Sequence, residues 1–520
     1  MTGVARPSRD AHAPTLSPAG LNDRSLGWLR FMWDKATTDD DWSDQGEPHP
    51  WWDRYSEPPM CAFPRFDLAE MGYVLPMMVE ATPAWRDVYT RILDELVRRY
   101  VSFWGGIDWN TLVGPDPNVD KYPPEWLTVL PERLRGRYAP PGWTANGVEP
   151  WGLQPDPIGC DGNLFYRGWL NLLLTMRHYI SGQPAQDRPF EVSGYQNRRF
   201  TWTHQRVAQF IADQMKARPQ GVHCENTKIW PFCMSAAGLG LKLYDQLMHT
   251  AFNEPFLDWI AFAKKHYIGR DRRGRINWVA FYHDPIENTT MTFPGPLNGY
   301  GALVPLHYIY PQDPQFGIDL YDSAMHRLGW SNPKVPVVQF VDDPKMLATA
   351  LWMARELGDS TTLERLHEVA EREFEPRYFG EDKSRFAFWF GRDEPWPRGQ
   401  DNATMMMAEC ADPGAWSRVF NSPNTAMHHE PTVRGLDYPS IGIRRTHNDI
   451  AGRTLEIETF AATPSRRGTP TSFTVDNLPH NAAISVNVDD HPCVTWRRSQ
   501  PGAVAIDVDI DTHRIDLAYS

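Results

Sequence analysis

Over the first four-fifths of the chain, apolar residues recur mainly at three- and four-residue steps, the spacing of amphipathic helices. One such run covers residues 85–103, with Pro83 near its start. A second covers 164–179 and meets Gly182, which suits a helix end. A third covers 343–358, where an Asp can cap the start, Pro344 fits the first turn and Gly358 fits the end.

Further helices are predicted at residues 230–247, 256–266, 362–374 and 402–420. About a dozen helices joined by Pro- and Gly-rich loops favour helix packed on helix. Because no short-period repeat marks an open array, a closed α/α toroid is the better prediction. Long loops at 38–64, 105–124 and 137–161 are places where functional residues often lie.

The pattern changes after about residue 425. Strict alternation of apolar and polar residues at 455–460, 472–475, 483–488 and 504–510 predicts half-buried strands with turns between them. The predicted organisation is therefore mainly α. It comprises a flexible tail at 1–25, a helical domain at 26–425 and a small antiparallel, β-sandwich-like domain at 426–520.

Composition narrows the function classes. The 520 residues carry a net charge of −13, which disfavours nucleic acid and anionic membranes as partners. No apolar run reaches the roughly 18 residues of a membrane span, and the N-terminus has no secretory signal. Six cysteines are too sparse for a disulfide scaffold, so a cytoplasmic location is expected. The 22 tryptophans fit either an aromatic-lined cleft or a large core.

Familiar catalytic motifs are missing from the sequence. It contains no phosphate-binding glycine loop, no HExxH, no CxxC pair and no GxSxG elbow. His428-His429-Glu430 is only a fragment of a metal site, so no metal is predicted.

Two cysteines, Cys224 and Cys233, are the strongest candidates for chemistry. Pro231 predicts a helix start near Trp230, which puts Cys224 on the incoming loop and Cys233 in the first turns. Both thiols could then face one pocket. Two buried free thiols and a reversible disulfide are the alternatives.

The segment Cys224-Glu225, with Cys233 nine residues after the first cysteine, resembles the catalytic segment of linalool dehydratase-isomerase and its relatives. Other motifs follow in the family's order: Asp156-Pro157-Ile158, Tyr166-Arg167-Gly168-Trp169-Leu170-Asn171-Leu172, Tyr244-Asp245-Gln246-Leu247, Tyr282-His283 and Ala354-Arg355-Glu356-Leu357-Gly358-Asp359. The resemblance covers roughly residues 26–425. It implies an (α/α)6 barrel, no cofactor, acid–base chemistry on a small hydrophobic alcohol, and a possible ring-shaped homo-oligomer.

The resemblance also implies site residues, with departures. Tyr300 falls on a family active-site tyrosine, although a core tyrosine is the alternative. Trp169 replaces the family's catalytic histidine, and Phe66 replaces a pocket tyrosine. Asp34 is the best match for the catalytic aspartate, with Asp39 as the alternative. Tyr55 and Cys61 are not secure counterparts of the tyrosine and cysteine that follow that aspartate.

These residues suggest acid–base catalysis in an aromatic pocket. An apolar pocket disfavours charged thiols and carboxyls, so a neutral cysteine can donate a proton. Aromatic faces can stabilise an allylic cation. We therefore expect dehydration, isomerisation or cyclisation of a terpenoid-like alcohol. The predicted substrate-binding residues are Phe66, Phe165, Trp169, Trp230, His223 and Glu225. His223 is either a titratable partner of Cys224 or an ordinary loop histidine.

Two other function classes stay open. Many polysaccharide lyases and glycosidases combine an α/α toroid with a β-domain, and Asp108, Asp161 and Glu225 could act as carboxylates here. A protein that kept the barrel but lost the histidine could instead bind a hydrophobic ligand without turnover.

Overall fold

The computed structural model describes residues 20–46, 48–52, 65–106, 148–149, 152–183, 185, 187–224, 228–285, 287–337, 344–390 and 395–520. Most of the predicted tail, together with Tyr55, Cys61, Asp108 and Glu225, lies outside these residues.

The described helices confirm a mainly helical chain. In order they are α1 Asp23–Thr37, α2 Arg65–Glu70, α3 Leu75–Ala81, α4 Arg86–Tyr100, α5 Leu164–Ser181, α6 His204–Ala217, α7 Pro231–Met248, α8 Glu254–His266, α9 Asn298–Leu303, α10 Leu306–Ile309, α11 Pro314–Arg327, α12 Pro344–Leu357, α13 Ser360–Glu373, α14 Gly399–Cys410 and α15 Ala415–Asn421.

Glycine ends two helices where the sequence predicts it. Gly182 follows α5 with φ 67°, and Gly358 follows α12 with φ 71°. Both values lie in the left-handed region, which glycine adopts without a steric penalty. The predicted boundaries of these helices are confirmed within a few residues.

The single helix predicted at 402–420 is wrong. The structure has two helices there, α14 and α15, separated by Ala411–Gly414. Pro413 cannot donate the hydrogen bond that a continuing helix needs, and Gly414 has φ 74°. The chain therefore turns between two apolar runs that share a helical spacing.

Helices α5 and α7 approach each other closely because small residues line their contact. A Cβ added at Gly168 would lie 2.9 Å from the Cβ of Ala237, and one at Gly240 would lie 2.8 Å from the Asn171 side chain. This contact brings the first turns of both helices together. Of the predicted candidate residues, Phe165 and Cys233 lie on those first turns, and Trp169 lies on the second turn of α5.

Short strands that the periodicity did not predict interrupt the helical part. They are β1 Val148–Glu149, β2 Gly152–Leu153, β3 Phe190–Ser193, β4 Arg199–Trp202, β5 Ile268–Arg270, β6 Ile276–Asp284, β7 Thr289–Thr292, β8 Arg377–Phe379 and β9 Arg385–Ala387. The antiparallel sheet β5-β6-β7 supports the cysteine loop, since Ile229 exchanges backbone hydrogen bonds with His283 of β6.

Two antiparallel sheets form the C-terminal part and confirm the predicted strands. Their strands are β10 Thr432–Arg434, β11 Ile441–Asp449, β12 Thr454–Ala461, β13 Pro470–Asp476, β14 Ile484–Val488, β15 His491–Pro492, β16 Trp496–Gln500, β17 Ala503–Asp509 and β18 Arg514–Tyr519. The strand orders are β10-β13-β17-β16 and β11-β12-β18-β14-β15. Buried residues face each other across the strands, as Ile457 does Ile515 and Phe473 does Ile506. We call residues 432–519 the C-terminal sheets.

Backbone and side-chain hydrogen bonds join the C-terminal sheets to the helices. The N–H of Val433 donates to the carbonyl of Ala84 at 2.8 Å. The guanidinium of Arg86, at the start of α4, donates to the Thr432 hydroxyl at 2.9 Å. Arg30 of α1 donates to the Ala462 carbonyl and the Thr463 hydroxyl.

Across the described residues, no helix combines the length and the apolar character needed to span a bilayer.

Candidate active site

An aromatic cluster surrounds Trp169 in the interior of the helical part. Phe165 stacks on Trp169 with ring centroids 4.2 Å apart, and Phe232 lies 4.9 Å away on the facing helix α7. Tyr308 meets Trp169 edge-on at 5.8 Å, while Phe66 contacts Phe165 at 5.1 Å. We call these five residues the Trp169 cluster. It includes three of the predicted substrate-binding residues, Phe66, Phe165 and Trp169.

Both candidate cysteines are buried, and each is related through the backbone to a member of the Trp169 cluster. Cys224 has no exposed surface, and its Sγ accepts a hydrogen bond from the Phe165 N–H at 3.2 Å. Cys233 is 3% exposed and follows Phe232 in the first turn of α7. The ring of Trp169 packs against Phe165, which bonds to Cys224, and against Phe232, which precedes Cys233. The described cysteines are all free thiols.

Cys224 lies at the N-terminus of α5, and this position has electrostatic consequences. The first N–H groups of a helix have no partner within the helix, and they carry the positive end of its dipole. The Phe165 N–H is one of these groups, and it points at the sulfur. The Cys224 sulfur therefore satisfies one of these N–H donors at the positive end of the helix dipole.

His223 is adjacent to Cys224 and is largely buried. Burial, followed by the charge of Arg218, lowers the pKa of His223 to about 4. The imidazole is consequently neutral at neutral pH, so it can accept a proton only weakly. His223 is therefore neither a charged partner of Cys224 nor a strong base beside it.

Trp230 and Tyr300 belong to a second row of aromatic rings. Trp230 lies 5.0 Å from Phe281, Phe281 lies 4.7 Å from Phe293, and Phe293 meets Tyr300 at 6.4 Å. Tyr300 is 8% exposed and lies on α9. This row connects the predicted tyrosine to Trp230, the residue that precedes α7.

The structure directs Asp34 away from the cysteines. Its carboxylate accepts from the Nε of Arg30 at 2.9 Å and from the Nε of Arg385 at 2.7 Å. The same Arg30 side chain reaches the C-terminal sheets. Asp39, the alternative, is exposed at the end of the following turn. Neither aspartate shares a hydrogen bond or ion pair with the Trp169 cluster in the described structure.

A buried carboxylate that the sequence did not single out, Glu70, does contact the cluster. Tyr308 donates to Glu70 at 3.0 Å, so the 2.8 Å contact between the two tyrosines has Tyr73 donating to Tyr308. Lys345 pairs with the other carboxylate oxygen, which also accepts from Gln400 at 3.0 Å. Burial, followed by the charge of Glu70, raises the pKa of Tyr308 far above its usual range. Both tyrosines are held neutral.

A second buried ion pair lies one turn earlier on α2. Lys35 of α1 pairs with Asp67, and neither side chain has exposed surface. Asp67 also accepts from the N–H groups of Gly399 and Gln400, which begin α14. This carboxylate therefore stabilises the start of that helix.

Arg167 on α5 is also buried, but no described carboxylate pairs with it. Its guanidinium is fully buried, yet its Nε and Nη2 have no hydrogen-bond partner among the described residues. Its Nη1 approaches the Sγ of Cys160 at 3.7 Å, and the ring of Phe210 lies beneath it at 5.7 Å. Burial, the largest influence, lowers the pKa of Arg167, while the charges of Cys160 and Cys224 oppose this effect.

One group of metal-type side chains occurs in the described part of the chain, at His367, Glu371 and Glu409, whose ligand atoms lie within 4.8 Å of one another. Arg24 already pairs with both carboxylates, at 2.5 Å and 3.2 Å. The arginine occupies the position that a cation would need. This group is also separate from the predicted fragment at His428, whose Nε2 contacts the Tyr179 carbonyl.

The buried cysteine pair, the motif order and the aromatic surroundings agree with one family. Residues 144–385 match the linalool dehydratase/isomerase family. The resemblance is thereby confirmed, and it supports a dehydratase- or isomerase-type enzyme.

The limits of the match to the linalool dehydratase/isomerase family separate the candidates into two groups. Cys224, Cys233, Trp169 and Tyr300 lie within it. Asp34 and Phe66 precede it, as do Asp67 and Glu70, and the C-terminal sheets follow it. The sequence-based assignment of Asp34 therefore depends on the motif resemblance alone.

Proposed function

We propose that this protein is a cofactor-independent lyase or isomerase that dehydrates, isomerises or cyclises a hydrophobic, terpenoid-like alcohol. The proposal is supported by two buried thiols at defined backbone positions: Cys224 accepts from the N–H of Phe165, and Cys233 follows Phe232 on α7. Both cysteines lie within the family match. One thiol acts as the acid and the other as the base.

The reaction needs two proton transfers and a stabilised cation. The acid protonates the leaving hydroxyl, and water departs to leave an allylic cation. The base then removes a proton from an adjacent carbon. Alternatively, a double bond attacks the cation to close a ring, and the base removes a proton from the ring cation that results. The faces of Trp169, Phe165 and Phe232 offer electron density to this cation.

With Trp169 in place of the family histidine, the site gains cation stabilisation and loses a proton relay. An indole cannot relay protons, but it is the best of the side chains for binding a cation through its face. Its stacking on Phe165 fixes that face. We therefore propose a substrate that depends more on cation stabilisation, such as a longer or polycyclic alcohol.

Tyr300 and Asp34 have supporting roles in the proposal. Tyr300 would hold the substrate oxygen at the end of the second aromatic row. The Asp34 carboxylate is paired with Arg30 and Arg385, so we place it last among the candidates. An (α/α)6 barrel is the arrangement proposed for the helices, with the C-terminal sheets as a separate domain.

The test is a mass-spectrometric turnover screen of the purified protein. Terpenoid and other hydrophobic alcohols are run beside polysaccharides, with Cys224→Ala and Cys233→Ala as active-site variants. Cys493→Ala, in the C-terminal sheets, is the matched control. Loss of water or formation of an isomer, abolished in both active-site variants and kept in the control, is the expected result.

Two outcomes would contradict the proposal. Cleavage of a polysaccharide that survives both cysteine variants would assign the protein to the carbohydrate-active class. Tight binding of a hydrophobic alcohol with no product from any substrate would assign it to the non-catalytic binders.

A further inference from the structure

A surface groove of about 700 Å³ lies between the turn that joins β5 to β6 and the C-terminal half of α11. None of its lining residues belongs to the Trp169 cluster or is a candidate cysteine. Its charged lining consists of four arginines, three aspartates and one histidine: Arg270, Arg273, Arg275, Arg327, Asp271, Asp319, Asp322 and His326. The groove is therefore separate from the candidate active site, and its side chains are suited to a charged ligand.

Positive charge is concentrated in the turn on one side of the groove. Four of the six residues at 270–275 are arginine, whereas lysine and arginine together make up 52 of the 520 residues of the chain. The chain as a whole carries a net charge of −13. The turn is thus opposite in sign to the protein around it, and it can attract an anion that the rest of the surface repels.

Hydrogen bonds within the turn occupy the carboxylate of Asp271. Its Oδ1 accepts from the N–H groups of Arg273 and Arg275 at 2.8 and 3.0 Å, and its Oδ2 accepts from the Nε of Arg275 at 3.0 Å. A carboxylate has about four acceptor positions, so little of this one is left for other arginines. Asp271 therefore fixes the shape of the turn and leaves the charge of Arg273 without compensation.

The other arginines of the groove keep N–H donors for a ligand. Arg270 donates to Asp319 at 3.1 Å and to the Gly274 carbonyl at 2.7 Å, and Arg327 donates to the amide oxygen of Asn277. The exposed side chain of Arg273 has no hydrogen bond or ion pair with another described residue. Because each guanidinium carries five N–H donors, these three arginines can bind further oxygens.

A second cavity of about 320 Å³ adjoins the groove, and the two share Gly295 and Arg327. The rest of its lining carries amides, hydroxyls and one indole: Asn277, Trp278, Thr290, Thr292 and Asn298. Amides and hydroxyls both donate and accept, so they pair well with the hydroxyl groups of a ligand. Arg327 lies where the anionic and the neutral polar part of one ligand would meet.

We propose that this groove binds a small, soluble phosphate ester with a hydroxylated body. The phosphate lies among Arg270, Arg273 and Arg327, and the hydroxylated body lies in the adjoining cavity. A phosphate monoester carries about 1.5 to 2 negative charges at pH 7 and three acceptor oxygens, so it can engage several arginines at once. Guanidinium groups match such oxygens with paired N–H donors. This site goes beyond the proposed function and does not depend on the cysteines.

Asp322 allows the sign of the ligand's charge to be tested. It lines the groove and has no arginine partner among the described residues. Its carboxylate would repel a bound phosphate and attract a bound cation. Asp322→Asn should therefore strengthen the binding of a phosphate ester by about threefold.

The experiment is isothermal titration calorimetry of the full-length protein. The probes are glucose 6-phosphate, glycerol 3-phosphate and adenosine monophosphate, with inorganic phosphate and glucose as comparisons. At least one ester should bind about tenfold more tightly than inorganic phosphate, because only the ester fills the adjoining cavity. Glucose alone should not bind measurably.

Charge-removing variants locate the binding. Arg273→Gln and Arg327→Gln should each weaken the best ester by about tenfold or more, since each loses hydrogen bonds to a charged group. Arg272→Gln is the matched control because Arg272 is exposed in the same turn but does not line the groove. It should change the affinity by less than about twofold.

Four results would overturn the inference. They are no binding of any ester, equal losses in Arg272→Gln and Arg273→Gln, weaker binding in Asp322→Asn, and binding only to vesicles of phosphatidylcholine that carry phosphatidylinositol phosphate. The last would assign the groove to a membrane headgroup. None of these measurements uses an alcohol substrate, so their failure and the failure of the proposed function are independent.

Discussion

Two buried regions next to the Trp169 cluster differ in how their charged side chains are paired. On α2, the carboxylates of Asp67 and Glu70 are each paired with a lysine and have additional N–H or O–H donors. On α5, Arg167 is equally buried, but no described carboxylate pairs with it. A fully satisfied network stabilises one arrangement of helices.

The largest effect should come from breaking the satisfied region at Lys35→Met. Removing the lysine leaves the Asp67 carboxylate buried without its cation, and losses of about 3–5 kcal/mol in the free energy of unfolding are typical of such changes. Urea unfolding measures the loss. Lys216→Met, at an exposed position on α6, is the control and should change little. Equal stability of the two variants would show that the pair does not stabilise the fold.

Tyr308→Phe tests the same region with a smaller change. The substitution removes one hydrogen bond to a charged carboxylate, a contribution of about 1.5–3 kcal/mol, while Lys345 and Gln400 still hold Glu70. Tyr378→Phe is the control because Tyr378 is 40% exposed. A loss no greater than the control's would mean that the tyrosine hydroxyl is not part of the network.

His204 is a buried group that can lose its charge, and it predicts a pH dependence of the free energy of unfolding. Burial, then the charge of His178, lowers the pKa of His204 to about 3, while Thr175 and Asn171 bond its ring. Between about pH 6.5 and 3 the unfolded chain binds this proton and the folded chain does not, so stability falls as pH falls. The slope is about 1.4 kcal/mol per pH unit.

The difference in unfolding free energy between His204→Gln and the parent protein isolates the contribution of His204 from that of other titrating groups. His204→Gln should flatten the fall in stability below pH about 6.5 in urea unfolding at a series of pH values. His429→Gln, at an exposed position, should follow the parent curve. Parallel curves for His204→Gln and the parent would contradict a neutral buried imidazole.

The smallest effect is predicted at Arg167→Met, where the comparison is sharpest. Removing Arg167 breaks no described ion pair and leaves no described carboxylate unpaired, so stability should change by less than about 1 kcal/mol. The matched variant is Arg99→Met, because Arg99 is also fully buried but pairs with Asp40 and Glu95 at 2.8 Å. That variant should lose about 3–5 kcal/mol in the same unfolding experiment. Similar losses for both arginines would contradict the distinction between the two regions.

Local patterns predicted the elements better than they predicted the site. The helices that carry Trp169 and Cys233, and the strands after residue 425, follow from periodicity because one face of each is buried. The break at Pro413-Gly414 was missed, although both residues are a local signal that should have outweighed the apolar spacing.

The partners of the site could not be predicted in the same way. Glu70 and Tyr308 lie 238 positions apart, and nothing in either neighbourhood encodes their hydrogen bond. Asp34 was selected from the motif order, but the fold places its carboxylate between Arg30 and Arg385. The cysteines were found because a resemblance preserved their spacing. Arg167 lies in the separate motif Tyr166-Arg167-Gly168-Trp169-Leu170-Asn171-Leu172, where the sequence shows it only as a basic residue.

The hydrogen bond from Val433 to Ala84 has a consequence for the history of the chain. A module added to an enzyme at its end can be gained or lost in one event only if the parent surface is already complete. Here Arg86 donates to Thr432, and the Ala84 N–H donates to the Thr446 hydroxyl. Residues of the C-terminal sheets therefore supply hydrogen-bond acceptors to the loop before α4. Descendants that discard the C-terminal sheets must also rebuild that loop, and the two parts are expected to be inherited together.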